Sequence, residues 1–254
     1  MQRHYFVLYA MMVNLRSARH FKVVFWIKVT ANALKHGMFA LAWKPFYANY
    51  GDINGWTYQE HLLMIGLVTM SLGITEIFFD GLRELPTMID RGSLDRFLLL
   101  PRDPVLILSL SQSALSSWSD LIAGVFLLYA SGHFDFILLL FIPLGVLFFF
   151  SLYLYIGSLR FFIPDENTVI HEIYSKTLLI ANQPNAGYSG FLKLLTNSLI
   201  PVALVSYFPI EYRRTGNVYF LTVAVVGGMM FHIFSRLFFL WGLRYYDSAS
   251  GFRR

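Results

Sequence analysis

Long apolar runs, separated by short clusters of arginine and lysine, constrain this 254-residue chain more than any other feature. A helix that crosses a bilayer needs about 20 mostly apolar residues. Six runs reach or approach that length: Val23 to Tyr47, His61 to Phe79, Val105 to Ala130, Phe134 to Ile163, Phe191 to Tyr207 and Val218 to Trp241. Pro201 interrupts the fifth. No soluble linker, low-complexity tract or internal repeat separates them. Hydrophobic residues make up 56% of the chain and charged ones only 14%. Soluble proteins carry about a quarter charged residues. The predicted fold class is therefore an all-α integral membrane protein, a single domain over residues 1–254.

Before the first run, MQRHYFVLYAMMVNLRSARHF departs from the pattern of a cleaved leader. Arg16, Arg19 and Lys22 stand where small residues would mark a cleavage site. Tyr5, Leu8, Met12 and Leu15 share one helical face, so residues 1–21 are expected as an interfacial amphipathic helix.

Basic residues set the direction, because cytoplasmic loops carry the excess of Lys and Arg. With both termini inside, that side receives Arg3, Arg16, Arg19 and Lys22, then Arg83, Arg91, Arg96 and Arg102, then Arg160, Lys176 and Lys193, and finally Arg236, Arg244, Arg253 and Arg254. The outer side keeps Lys44, Arg213 and Arg214. The expectation is N-in and C-in, with YFPIEYRRTGN as a short outer loop broken by Pro209. The net charge of +5 is thus assigned to topology rather than to nucleic acid.

One polar island stands out, Arg91 to Pro104. Gly92 can end one helix in a left-handed conformation, and Ser93 can cap the next, with Asp95 in its first turn. Leu94, Phe97 and Leu98 fall on one face, and Pro101 and Pro104 stop the segment. On these grounds alone the island is either an interfacial anchor or a helix that touches a soluble partner.

The run MIDRGSLDRFLLLPRDP resembles the corresponding loop of ABC-2-type exporter permeases, in particular a small six-span subfamily. The agreement lies at Gly92, Ser93, Leu94, Asp95, Leu98, Leu99 and Pro101, while Leu100 stands where an arginine is expected. Leu199 to Pro209 resembles the family's fifth span, and Gly242 to Gly251 its C-terminal ending. The resemblance implies a coupling helix in the first cytoplasmic loop, residues 80–104. Arg91, Ser93, Leu94, Asp95, Arg96, Phe97 and Leu98 would dock into a separate ATP-binding subunit. It also implies two such subunits, a second permease chain as homodimer or heterodimer, ATP and Mg bound by the partner alone, and a place in the bacterial cytoplasmic membrane.

Several absences agree. The chain has no G-x-x-x-x-G-K-[ST] phosphate loop, no H-E-x-x-H, no G-x-S-x-G and no cysteine. The reading is a permease without catalytic residues or a metal site. A lipid-modifying enzyme built on Glu76, Asp80, Glu84 and Asp90 stays open, as does an assembly scaffold.

Charges within spans are costly, about 2.5–3.5 kcal/mol each on insertion scales, and so are paired or line a cavity. Lys28 is expected either to pair with Glu76 or to snorkel to the inner surface, and Lys35 to pair with Asp120 or another acid. Asp80 sits one turn beyond Glu76. Ser113, with Ser109, Ser116 and Ser117, reads as close helix packing or a polar path, and Gly227 and Gly228 as a close helix approach. His232 reads as a packed histidine. The loop 164–190 is expected to be cytoplasmic, with a second amphipathic element through Val169, Ile173, Leu178 and Leu179, capped by Asp165 or Asn167.

Overall fold

The computed structural model describes residues 22–53, 55–133, 135–163, 168–184, 190 and 200–246. The expected N-terminal interfacial helix, Asp165, Asn167 and most of the expected fifth span lie outside these residues.

The described residues form helices and turns, with one isolated bridge between Ile53 and Trp56. α1 spans Lys22–Tyr50 and keeps Pro45 inside it. α2 spans Tyr58–Phe79, and its start is fixed by a reciprocal cap. Thr57 Oγ1 accepts from the Glu60 amide, while the Glu60 carboxylate accepts from the Thr57 amide at 2.9 Å. A single 3₁₀ turn, Asp80–Leu82, then leads to α3 at Leu85–Asp90 and α4 at Asp95–Leu98. α5 spans Pro104–Ser109, started by Asp103, whose carboxylate accepts from the Val105 and Leu106 amides. α6 is Trp118–Ala130, α7 is Phe141–Ser158 and α8 is Thr168–Ala181. α9 at Ala203–Ser206 and α10 at Phe208–Thr215 are short, and α11 runs Val218–Gly242.

Among the described residues, three helical stretches are long and apolar enough to cross a membrane: Tyr58–Asp90, Phe136–Phe161 and Val218–Tyr245. They differ in burial. The first is 72% buried inside the chain and the third only 22%. α2 is thus the central post, with α6 and α7 packed along it, while α11 leans on α7 and leaves most of its surface outward. Small residues permit close approach: at Gly124 of α6, an added Cβ would lie 2.8 Å from the Met70 amide nitrogen of α2.

Three expectations change. The third apolar run is not one helix from Val105 to Ala130: α5 ends at Ser109, and an irregular stretch and a 3₁₀ turn at Leu115–Ser117 precede α6. The end of α2 holds this break. Ser113 Oγ donates to the Ile77 carbonyl at 2.5 Å and the Ala114 amide to the Glu76 carbonyl at 3.0 Å. Side-chain and loop partners thereby satisfy groups that a continuous helix would satisfy internally.

YFPIEYRRTGN is not a loop either. Pro209 occupies the first turn of α10, where a missing N–H costs nothing. Third, α8 does not stay on one side of the bundle. It packs on α7, where the Tyr174 hydroxyl donates to the Tyr153 carbonyl at 2.8 Å. At its far end the Asn182 carbonyl lies 3.1 Å from His61 Nε2, in the first turns of α2. The segment expected as a cytoplasmic loop climbs from one end of α2 to the other. It is amphipathic, but on another face than expected: Ile170, Tyr174, Thr177 and Ala181 are buried, while Val169 and Leu179 face outward and Ile173 and Leu178 are half-buried.

Candidate coupling site

The site grows from the end of α2 at Glu76, where the backbone leaves the bundle. Its carboxylate accepts the Ser117 hydroxyl at 2.5 Å and the Tyr153 hydroxyl at 2.7 Å. Arg83 lies 3.6 Å from it and 2.9 Å from Asp80. Glu76 therefore joins α2, the start of α6 and α7 at one buried point. Lys28 stands on α1 with its side chain outside the described residues; the partners of Glu76 that are described are Ser117, Tyr153 and Arg83.

The pairing expected between Lys35 and Asp120 is not formed. Asp120 is buried and lies 2.7 Å from His36 Nε2. His36 shares a face of α1 with Ala40 and Tyr47, both buried, whereas Lys35 is exposed on another face. The helical step of about 100° per residue separates the two neighbours, and packing of α1 on α6 selects the histidine.

Below this hub the chain folds back through α3 and α4. Gly92 takes a φ of +63° and ends α3 as expected. Ser93 does not cap α4. The residue preceding that helix is Leu94, already in a helical conformation, and Ser93 Oγ reaches back to the Met88 carbonyl at 3.4 Å. The helix starts by continuation of the preceding turn, with the Leu94 amide on the same carbonyl at 3.3 Å.

The apolar face expected on this segment points into the chain. Leu94 and Phe97 are buried and Leu98 is half-buried. They seat the loop, and Arg96 lies over the Phe97 ring at 4.6 Å. Outward stand Arg91, Arg96, Leu99 at 76% exposure, Leu100 and Pro101. Two arginines tie the loop's roots to the spans: Arg160 to Asp90 at 2.5 Å, and Arg236 of α11 to Asp103. Asp95 lies against Tyr246, just past α11. Burial and that carboxylate push the Tyr246 hydroxyl up to about 12. The two ends of the loop are thus held beside the end of α7 and by α11.

The carboxylates at this end of the bundle have partners within the chain. Glu76 and Asp80 are occupied by Arg83 and two hydroxyls, and Asp90 by Arg160. Among the described residues no group of His, Asp and Glu could hold a metal ion. His232 is held by Ser151 Oγ at 3.0 Å from Nδ1, on the face that α11 turns to α7.

A family model described as ABC-2 family transporter protein matches residues 34–250. The chain belongs to the ABC-2 transporter family. Neither a curated protein nor a solved structure matches it. The family makes this a multi-pass membrane protein, a permease domain of the type that ordinarily works as a non-catalytic subunit beside an ATPase. In this ABC-2 family member Glu76 is buried, while Leu99, Leu100 and Pro101 are exposed on the loop.

Proposed function

We propose that this ABC-2 permease is the membrane subunit of an ATP-driven exporter. Its loop of residues 91–104 receives the stroke of a separate ATPase subunit. One observation carries the reading: an apolar tip, Leu99 and Leu100, is exposed on a loop whose roots are ionically tied to the bundle through Arg160 and Arg236. An exposed leucine pair stabilises the chain little where it stands, so its use lies in contact with something else. Arg91, Ser93, Leu94, Asp95, Arg96, Phe97 and Leu98 divide the work. Leu94 and Phe97 hold the loop's shape, and Arg91 and Arg96 flank the tip.

ATP and Mg are bound by the partner, two copies of which act with two permease chains in the bacterial cytoplasmic membrane, N-in and C-in. Closure of the ATPase pair moves the loop, and the hub at Glu76 passes the displacement to α2, α6 and α7. The test is purification of the tagged chain from cells that carry its native gene neighbourhood. A stoichiometric ATP-binding subunit is expected, lost on Leu99→Asp with Leu100→Asp. Isolation of the permease without any ATPase would overturn the reading.

A further inference from the structure

The break between α5 and α6, residues 110–117, falls at membrane depth. The Ser113 hydroxyl and the Ala114 amide donate to the Ile77 and Glu76 carbonyls, so the break stands level with that part of α2. Ile77 belongs to the stretch Tyr58–Asp90, which is long and apolar enough to cross a membrane. At about 1.5 Å per helical residue, it is about 28 Å from Tyr58 and about 20 Å from Asp90. Centred on a hydrocarbon core about 30 Å thick, the stretch puts Ile77 inside the core, in the half nearer Asp90.

At this depth the chain leaves polar groups uncovered. Gln112 is exposed, and among the described residues it has no hydrogen-bond partner. Ser111, Ser113 and Ser116 beside it are half-buried. α1 packs against the turn Leu115–Ser117. On α1, Lys35 is exposed next to His36, whose contact with Asp120 at 2.7 Å sets the level. The outward residues of α6 itself, Ile122, Val125 and Phe126, are apolar, so the polar exposure stops where the helix begins. Irregular backbone at membrane depth is tolerated where it is buried in protein or lines a water-filled cavity. This chain does not bury Gln112. An opposing protein surface would have to supply matched partners in register for an amide and an ammonium, whereas water satisfies both as it stands.

We propose that the break at residues 110–117 lines a water-filled vestibule, open to the side of the membrane on which the loop 91–104 lies, with Gln112 and Ser116 in its wall. A polar group of a solute enters the membrane there to the level of Glu76 without meeting lipid. The inference rests on the membrane placement of the bundle and not on the coupling role of the loop, so loss of ATPase association leaves it standing.

The chain has no cysteine, so each introduced thiol is its sole one. The test is labelling of Gln112→Cys and Ser116→Cys by a charged, membrane-impermeant thiosulfonate, in intact cells and in inverted vesicles, read on the tagged chain. Arg244→Cys, exposed just past α11, marks the side of the loop. Ile233→Cys marks lipid. Ile233 is exposed on α11, and ring contacts of Phe79 with Phe150 and of Phe150 with His232, at 5.3 and 5.7 Å, bring it level with the end of α2. Apolar surroundings raise a thiol's pKa, and each unit removes about nine-tenths of the reactive thiolate. Both break variants are expected to react from the Arg244→Cys side, at least about tenfold faster than Ile233→Cys. Either one carries the result if the other fails to fold. Protection equal to that of Ile233→Cys would overturn the proposal, as would reaction from the opposite side only. Protection accompanied by a disulfide between two copies at Gln112→Cys would mark the break as an interface between copies and overturn it equally.

Discussion

Arg214 of α10 grips Glu60 of α2 with two guanidinium nitrogens, at 2.8 and 2.6 Å from the two carboxylate oxygens. The same arginine stacks near Trp56, 5.5 Å from its ring, and donates to the Gly55 carbonyl. Trp56 in turn stacks on Tyr207 at 6.2 Å. One residue thereby closes α10 over the start of α2.

Because Glu60 is buried, removing Arg214 strands a carboxylate. Arg214→Gln is expected to cost about 2–3 kcal/mol, at the lower edge of what a broken buried pair costs, since the arginine is partly exposed. Arg214→Gln with Glu60→Gln should recover part of that loss. Thermal unfolding in detergent reads both, and a double variant worse than the single one would contradict the account.

Tyr153→Phe removes one of two hydroxyls from the Glu76 carboxylate without changing the ring's packing. A lost hydrogen bond to a buried charge costs about 1.5–3 kcal/mol. Ser117→Ala removes the other donor and is expected to cost a similar amount. The two losses should not add simply, since both act on one carboxylate. A cycle of the two variants by thermal unfolding checks this.

His36 and Lys35 make a sharp contrast between neighbours. His36→Ala leaves Asp120 buried without its partner, at an expected cost of about 1–3 kcal/mol. Asp120→Asn, which can still hydrogen-bond His36, should cost less. Lys35→Gln alters an exposed position and should leave the melting temperature of the solubilised protein unchanged. Equal effects of His36→Ala and Lys35→Gln would reverse the assignment.

The coupling role proposed for the loop from Arg91 to Pro104 can be separated from its part in folding. Leu94→Asp places a charge in a fully buried position and should prevent a stable fold. Leu99→Asp and Leu100→Asp lie outside and should each change stability by no more than about 0.5 kcal/mol while abolishing ATPase stimulation. Expression with size-exclusion profiles reads the first outcome, and an ATPase assay of the assembled complex reads the second.

The apolar spans of α2, α7 and α11 were legible as runs, because lipid exposure and core burial both favour the same residues. The island at Arg91 was legible as a break in such a run, and Gly92 performs the role its type suggests. Other features depended on partners distant in sequence. The break between α5 and α6 is invisible in a stretch of leucines and serines, because the groups that satisfy it, the Ile77 and Glu76 carbonyls, belong to another helix. Lys35 drew attention as a formal charge, although the spacing of His36, Ala40, Trp43 and Tyr47 along one face was present in the sequence and marked the side that packs. On the loop from Arg91 to Pro104, periodicity identified an apolar face at Leu94 and Phe97 but could not say that this chain itself would bury it.

α8 has a consequence for biogenesis. At 14 residues it rises about 21 Å, and it carries Glu172 and Lys176, paired at 3.3 Å on its outward side. A nascent segment this short and this charged falls below what an insertion machinery recognises as a stop. Its place is held by partners on two other helices: Tyr174 donates to the Tyr153 carbonyl of α7, and the Asn182 carbonyl meets His61 of α2. The helix least suited to insert by itself is the one that the bundle grips at two points.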